Sequence, residues 1–123
     1  MSLLLVCVAG GLGAIARFTV EGLICRHRRG ALPLGTLVIN IGGSFLLGLV
    51  TGLAVRHAGF PAAVESAVGT GFCGGFTTFS TASVDVLSLW EADGPRPGIT
   101  YAVLTLAGSV LGAALGWWAG SIG

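Results

Sequence analysis

A short stretch in the middle of the chain, residues 71–83 (GFCGGFTTFSTAS), combines adjacent glycines with a run of hydroxyl side chains inside an apolar segment. A hydroxyl group in hydrocarbon costs free energy unless it finds a hydrogen-bond partner or faces water. Irregular backbone at membrane depth is tolerated only where it is buried in protein or lines a cavity, and its freed carbonyl oxygens are common cation ligands. The stretch therefore predicts an interrupted helix that holds a backbone-bound Na⁺. The hydroxyl-bearing residues beside it are Thr77, Thr78, Ser80, Thr81 and Ser83.

The centre of this segment is fixed by its flanking carboxylates, Glu65 and Asp85, neither of which stands at mid-membrane. The midpoint between them falls at Gly74 and Gly75, so the sequence predicts the interruption at this glycine pair. Phenylalanines at helical spacing (Phe72, Phe76 and Phe79) predict an aromatic stripe whose electropositive ring edges can face an anion.

Other polar residues occur singly in apolar runs. Asn40 lies in the second run, and Tyr101, Thr105 and Ser109 follow an i, i+4, i+8 line along the last run, on one helix face. Together these residues are interpreted as the lining of a path. Taken one at a time, each is equally well explained as an interhelical hydrogen bond that contributes about 0.6 kcal/mol.

Arg17 and Glu21 stand four positions apart in the first run, near enough on a helix to pair. The favoured interpretation is a structural ion pair near the membrane surface. The three cysteines have no metal-ligand spacing and are interpreted as small packing residues.

The elements that position these residues follow from composition. Of the 123 residues, 54% are apolar and only 9% are charged, which excludes an ordinary soluble domain. Spanning the hydrocarbon core takes roughly 20 apolar residues as helix. Four runs qualify, so we predict an all-α protein that functions inside the bilayer and is not an enzyme. The predicted spans are residues 3–24, 34–55, 62–90 and 98–122.

Glycine stripes predict how the spans pack. Gly108, Gly112, Gly116 and Gly120 recur every four residues, and Ser44, Gly48 and Gly52 repeat the spacing in the second span. Helices in membranes associate by close packing at small residues, so these stripes are interpreted as helix contacts. The formal net charge of +1 suggests no nucleic-acid partner.

Three blocks of the sequence resemble the small bacterial fluoride channels called Fluc or CrcB. They are GGLGAIARF (10–18), GTLVINIGGSFLLG (35–48) and GFCGGFTTFSTAS (71–83), in the family's order and spacing. The resemblance covers essentially the whole chain. It implies a multi-pass protein of the bacterial cell (inner) membrane, built as an antiparallel dimer with two fluoride pores, a broken third helix and one structural Na⁺ at the break.

The resemblance also implies residue roles. The Na⁺ ligands fall on the backbone carbonyls of Gly74 and Thr77, with Arg17 and Gly75 in structural positions. The fluoride pore falls on Asn40, Phe79, Ser80, Thr81, Tyr101, Thr105 and Ser109. One departure concerns Ala82, which stands where the family has a second pore phenylalanine.

The function implied is passive export of cytoplasmic fluoride, which reduces fluoride toxicity. The alternative is a proton-coupled exporter of small cations of the small-multidrug-transporter type, but this would need a mid-membrane carboxylate. A purely structural scaffold would leave the polar lines on the second and fourth spans unexplained.

The partner in such a dimer is a second copy of the chain or a paired homologue. The first and third loops carry Arg26, Arg28, Arg29 and Arg96, whereas the second carries only Arg56. The positive-inside rule then predicts one preferred orientation with the first loop in the cytoplasm. A partner of opposite bias would complete an antiparallel pair.

Overall fold

The computed structural model describes residues 2–27 and 33–122, and within these ranges it is all-α with no strand. Three helices are long and apolar enough to cross a membrane: α1 (Ser2–His27), α2 (Leu34–Arg56) and, last in the chain, α6 (Pro95–Ile122). The all-α class is as predicted, and these helices match three of the four predicted spans. Arg28 and Arg29, part of the predicted basic loop, lie outside the described residues.

The segment predicted as the third span is a series of shorter helices. It begins with α3 (Ala62–Glu65), widens into a π-helix (Ser66–Cys73) and returns to α-helix in α4 (Gly74–Phe76). Helical geometry stops at Thr77 (φ −81°, ψ 159°) and Thr78 (φ −148°, ψ 123°), and α5 (Phe79–Asp93) follows. The π-helix was not predicted, and such wider turns occur frequently at functional sites.

The predicted position of the interruption, Gly74 and Gly75, is wrong by three residues. Both glycines belong to α4, and Gly74 has ordinary helical angles. The glycine at position 75 is needed for packing, since a Cβ there would overlap the carbonyl oxygen of Gly10 on α1. The helix instead opens where side chains compete for its backbone groups, at the two threonines.

The glycine stripes pack as predicted. A Cβ at Gly112 would contact the Ile41 carbonyl oxygen at 3.0 Å, and one at Gly116 or Gly120 would overlap backbone of α2. These contacts advance along both helices in the same direction, so α2 and α6 run parallel at close distance.

Two ends of the bundle can be identified from contacts between the helices. At one end, the Tyr101 hydroxyl donates to the Pro33 carbonyl oxygen at 2.8 Å, which joins the start of α6 to the start of α2. At the same end, Gly94 follows the last residue of α5, and its positive φ of 97° allows the chain to turn into α6. At the other end, the Arg56 guanidinium donates to the Ser121 carbonyl oxygen at 3.0 Å.

Candidate functional site

A groove of about 750 Å³ opens along the side of the bundle, between α2, the π-helix, the interruption, α5 and α6. The lining is mostly apolar, and no charged side chain among the described residues contributes to it; its polar groups are hydroxyls, one carboxamide and backbone. Predicted site residues that meet here are Asn40, Gly74, Thr77, Phe79, Thr105 and Ser109. Lining residues outside the predicted site include Ser44, Thr70, Thr78 and Ser83. Uncharged donors of this kind, spaced along a mainly apolar groove, can donate hydrogen bonds to an anion without trapping it.

Asn40 holds the interruption through two hydrogen bonds to one residue. Its Oδ1 accepts from the Thr78 N–H and its Nδ2 donates to the Thr78 carbonyl oxygen, each at 2.8 Å. The side chain is almost fully buried. An extended residue presents both backbone groups to the same neighbour, as in an antiparallel strand pair, and the Asn40 carboxamide takes the place of that strand. One Nδ2 hydrogen remains free of this contact and can donate into the groove.

The Thr78 side chain caps the following helix. Its Oγ1 accepts from the Thr81 N–H at 3.2 Å, and the two hydroxyl oxygens lie 3.2 Å apart. A threonine whose oxygen binds an N–H in the first turn is a common N-cap. Thr78 was not among the predicted site residues, although the spacing of Thr78 and Thr81 ahead of an apolar helix is a signal that could have identified it.

The interruption removes the helical donors of four carbonyls, those of residues 74–77, and for two of them the lost donor is bound by a side chain. In a continuous helix the Thr78 N–H would bind the Gly74 carbonyl, and the Thr81 N–H would bind the Thr77 carbonyl. Here these N–H groups bind Asn40 and the Thr78 hydroxyl instead. By contrast, the Cys73 carbonyl accepts from both the N–H and the hydroxyl of Thr77, each at 2.9 Å. The Gly74 and Thr77 carbonyls are the two that the family resemblance assigns to Na⁺.

Arg17 also binds the interrupted segment, which corrects the predicted ion pair with Glu21. Its Nε donates to the Gly75 carbonyl oxygen at 3.2 Å, and the described residues show no ion pair between Arg17 and Glu21. The guanidinium thereby satisfies one of the carbonyls that the end of α4 leaves without a helical donor. Arg17 and Gly75 are thus in direct contact.

The predicted line on α6 is divided by the structure. Thr105 and Ser109 line the groove, whereas Tyr101 is fully buried at one end of the bundle with its hydroxyl on Pro33. Asp85 of α5 and Thr36 of α2 lie beside that hydroxyl. Among the described residues, Thr105 Oγ1 and one Asp85 oxygen are buried without a hydrogen-bond partner.

The predicted phenylalanine stripe is interrupted. Phe72 and Phe76 stack with ring centroids 5.7 Å apart, and the two extended threonines separate them from Phe79. The Phe79 side chain lines the groove and is 88% exposed. Of the other predicted residues on α5, Ser80 is exposed and Thr81 is partly buried against Thr78, and neither lines the groove.

Comparison with known proteins places these features in a family. Residues 4–117 match the family described as "CrcB-like protein, Camphor Resistance (CrcB)". The chain is 49% identical over 121 residues to "Fluoride-specific ion channel FluC 2" of Cutibacterium acnes, covering 98% of each chain. It is 43% identical over 119 residues to "Fluoride-specific ion channel FluC 1" of Leifsonia xyli subsp. xyli, covering 97% of this chain and 86% of that one. A third relative, "Fluoride-specific ion channel FluC 2" of Moorella thermoacetica, is 40% identical over 120 residues, with 97% and 96% covered.

The matches extend along nearly the whole chain and include the interrupted segment, α2 and α6. The protein is a member of the CrcB family.

Proposed function

We propose that the chain is a subunit of a fluoride-specific ion channel that exports cytoplasmic fluoride passively. The observation that carries this proposal is the near full-length identity to relatives named as channels of that specificity. The uncharged, hydroxyl-rich groove supports it, since an anion path needs donors.

Fluoride is small and strongly hydrated, so a path must replace its water with closely placed donors. The free Nδ2 hydrogen of Asn40 and the hydroxyls of Thr105 and Ser109 would supply such donors along the groove. A lining without fixed positive charge keeps binding weak enough for the ion to leave. An interior-negative potential drives the anion outward by about 2.3 kcal/mol per charge per 100 mV, so no energy source is required.

The groove is open on one side, and we propose that an antiparallel second subunit covers it. The exposed ring of Phe79 supports this arrangement, because a large aromatic side chain at the rim of a polar groove has no partner within the subunit. The segment from Ala62 to Asp93 then forms a third membrane span, broken at Thr77 and Thr78, and the protein is a multi-pass protein of the bacterial inner membrane.

A structural Na⁺ is proposed at the break. The residues fit this ion, since Na⁺ prefers oxygen ligands, Gly74 and Thr77 both line the groove, and their carbonyls have no helical donors. When bound, the ion would neutralise the partial negative charge of these carbonyls and of the matching pair in the second subunit.

The second subunit is a copy of this chain or a paired homologue. Four arginines in the first and third loops against one in the second favour a single orientation, and thus a homologue of opposite bias. Ala82, which lines the groove where the family resemblance expects phenylalanine, is consistent with a partner that supplies the aromatic ring.

Fluoride efflux from liposomes tests the proposal. The purified protein should release trapped fluoride, measured with a fluoride electrode once K⁺ movement is balanced by an ionophore, and should retain chloride. Equal release of both anions would contradict fluoride specificity. An absence of fluoride release, together with proton-driven transport of a small cation, would instead favour the small-cation exporter.

A further inference from the structure

We propose that Asn40 and Thr78 are positioning residues for the cation site, because they redirect the two N–H groups that would otherwise occupy the Gly74 and Thr77 carbonyls. This inference rests on the proposed function, since it concerns the Na⁺ site proposed there. It assigns to Asn40 a role besides lining the anion path, and it adds Thr78 to the functional residues.

The two redirected bonds use different side chains from different helices. Asn40 reaches from α2 and takes the Thr78 N–H away from Gly74. The Thr78 hydroxyl takes the Thr81 N–H away from Thr77. A carbonyl that already accepts a helical hydrogen bond has less electron density to offer a cation. Both N–H groups must therefore be bound elsewhere before the Gly74 and Thr77 carbonyls, three residues apart, can act as two ligands.

The second hydrogen bond of Asn40 fixes the direction in which the Gly74 and Thr77 carbonyls face. Its Nδ2 donates to the Thr78 carbonyl oxygen, so rotation of Thr78 would break two hydrogen bonds at once. Arg17 holds the neighbouring Gly75 carbonyl from the opposite side of the segment. Of the four consecutive carbonyls from Gly75 to Thr78, those of Gly75 and Thr78 are thus bound by side chains.

Asn40→Leu tests the first redirection with little change of volume. Leucine removes both the acceptor for the Thr78 N–H and the donor to the Thr78 carbonyl, so the Thr78 N–H is free to return to the Gly74 carbonyl. Residues that orient metal ligands typically contribute about 10- to 100-fold in affinity, and we expect a loss of Na⁺ affinity in that range.

Thr78→Ala tests the second redirection, and Thr78→Ser is its conservative partner. Alanine removes the cap, so the Thr81 N–H is free to return to the Thr77 carbonyl, and Na⁺ affinity should fall by at least about 10-fold. Serine retains the hydroxyl and should restore affinity to nearly the wild-type value. Thr51→Ala is the matched control on α2, because the Thr51 hydroxyl donates only to the Leu47 carbonyl of its own helix.

Na⁺ affinity is read directly as the Na⁺-dependent rise in the thermal midpoint of the purified protein in detergent, with choline replacing Na⁺. Fluoride efflux at a series of Na⁺ concentrations gives a second, independent reading. The half-saturating Na⁺ concentration should rise in Asn40→Leu and Thr78→Ala and stay close to the wild-type value in Thr78→Ser and Thr51→Ala.

Wild-type Na⁺ affinity in both Asn40→Leu and Thr78→Ala would overturn the inference, even if fluoride efflux fell, since Asn40 would then act on the anion alone. If Asn40→Leu does not assemble, the comparison of Thr78→Ala with Thr78→Ser decides on the same criterion. If the wild-type protein conducts fluoride but is not stabilised by Na⁺, the proposed cation site and this inference are both contradicted. The proposed channel function is not. A wild-type protein stabilised by Na⁺ that does not conduct fluoride would contradict the channel function alone.

Discussion

At the scale of single residues, the adjacent glycines Gly74 and Gly75 have different surroundings. A Cβ added to Gly74 meets nothing within 4 Å in this subunit, whereas one added to Gly75 overlaps the backbone of Gly10. The small size of Gly75 is therefore explained by packing against α1. The small size of Gly74 has no such explanation within the subunit, and the proposed ion and second subunit supply one.

This difference predicts opposite outcomes for two alanine variants. Gly75→Ala should destabilise the subunit by about 1–3 kcal/mol, because α1 must move away from α4. Gly74→Ala should leave the secondary structure and yield of the protein unchanged while weakening stabilisation by Na⁺. Circular dichroism and thermal unfolding in detergent measure both effects, and an equal loss of yield in the two variants would contradict the assignment.

Substitution of Phe79 can likewise distinguish an effect on fluoride transport from an effect on folding. Its ring is largely exposed in the subunit, so Phe79→Ile should cost little stability. If the ring faces the ion, fluoride efflux per assembled dimer should fall about tenfold. Dimer yield by size exclusion provides the control, and a variant that loses dimer yield with normal efflux per dimer would show that Phe79 is a packing residue.

Much of the site could be predicted from residue types, and the rest depends on hydrogen-bond competition. Asn40 stood out as a carboxamide in an apolar helix, and Thr105 and Ser109 as a polar line. The contact of Arg17 with Gly75, in place of Glu21, joins residues 58 positions apart and leaves no local pattern. Similarly, Asn40 and Thr78 are separated by 38 positions.

At the element scale, the glycine stripes determine how closely α2 and α6 approach. Several glycines in these helices meet backbone atoms of the facing helix, and such contacts are possible only without a side chain. Helix lengths and the glycine contacts followed from hydropathy and spacing. The π-helix and the position of the interruption did not, because both depend on which neighbours the backbone groups bind.

Gly116→Ala and Gly42→Ala form a matched pair for this packing. A Cβ at Gly116 would overlap the Phe45 carbonyl oxygen, whereas one at Gly42 meets nothing within 4 Å. Gly116→Ala should lower stability by about 1–3 kcal/mol, and Gly42→Ala should have little effect or be slightly stabilising. Thermal unfolding in a single detergent measures the difference, and equal midpoints would contradict close packing of α2 against α6.

At the scale of the whole molecule, the starts of α2 and α6 share one end of the bundle. The Tyr101 contact with Pro33 brings them together, and Arg96 lies in the first turn of α6. Arg56 lies at the end of α2, against Ser121. Among the described residues, Arg96 and Arg56 therefore lie at opposite ends of the bundle.

Single cysteines at the two ends test this orientation in a background free of the native cysteines. Gly59, in the connection after α2, and Asp93, the last residue of α5, are both exposed and lie at opposite ends, and each is replaced by cysteine. If the chain has one preferred orientation, an impermeant thiol reagent added to whole cells should label Gly59→Cys and spare Asp93→Cys. Equal labelling of both would show dual orientation, and would favour a dimer of identical chains over one with a paired homologue.

The central claim is that this protein is a passive path for fluoride, and the reversal potential of its current in a planar bilayer tests that claim most directly. With Na⁺ on both sides and unequal fluoride, the current should reverse at the equilibrium potential of fluoride, and neither a chloride gradient nor a pH gradient should shift it. A reversal potential that follows chloride or pH, or the absence of any fluoride current from assembled protein, would contradict the account.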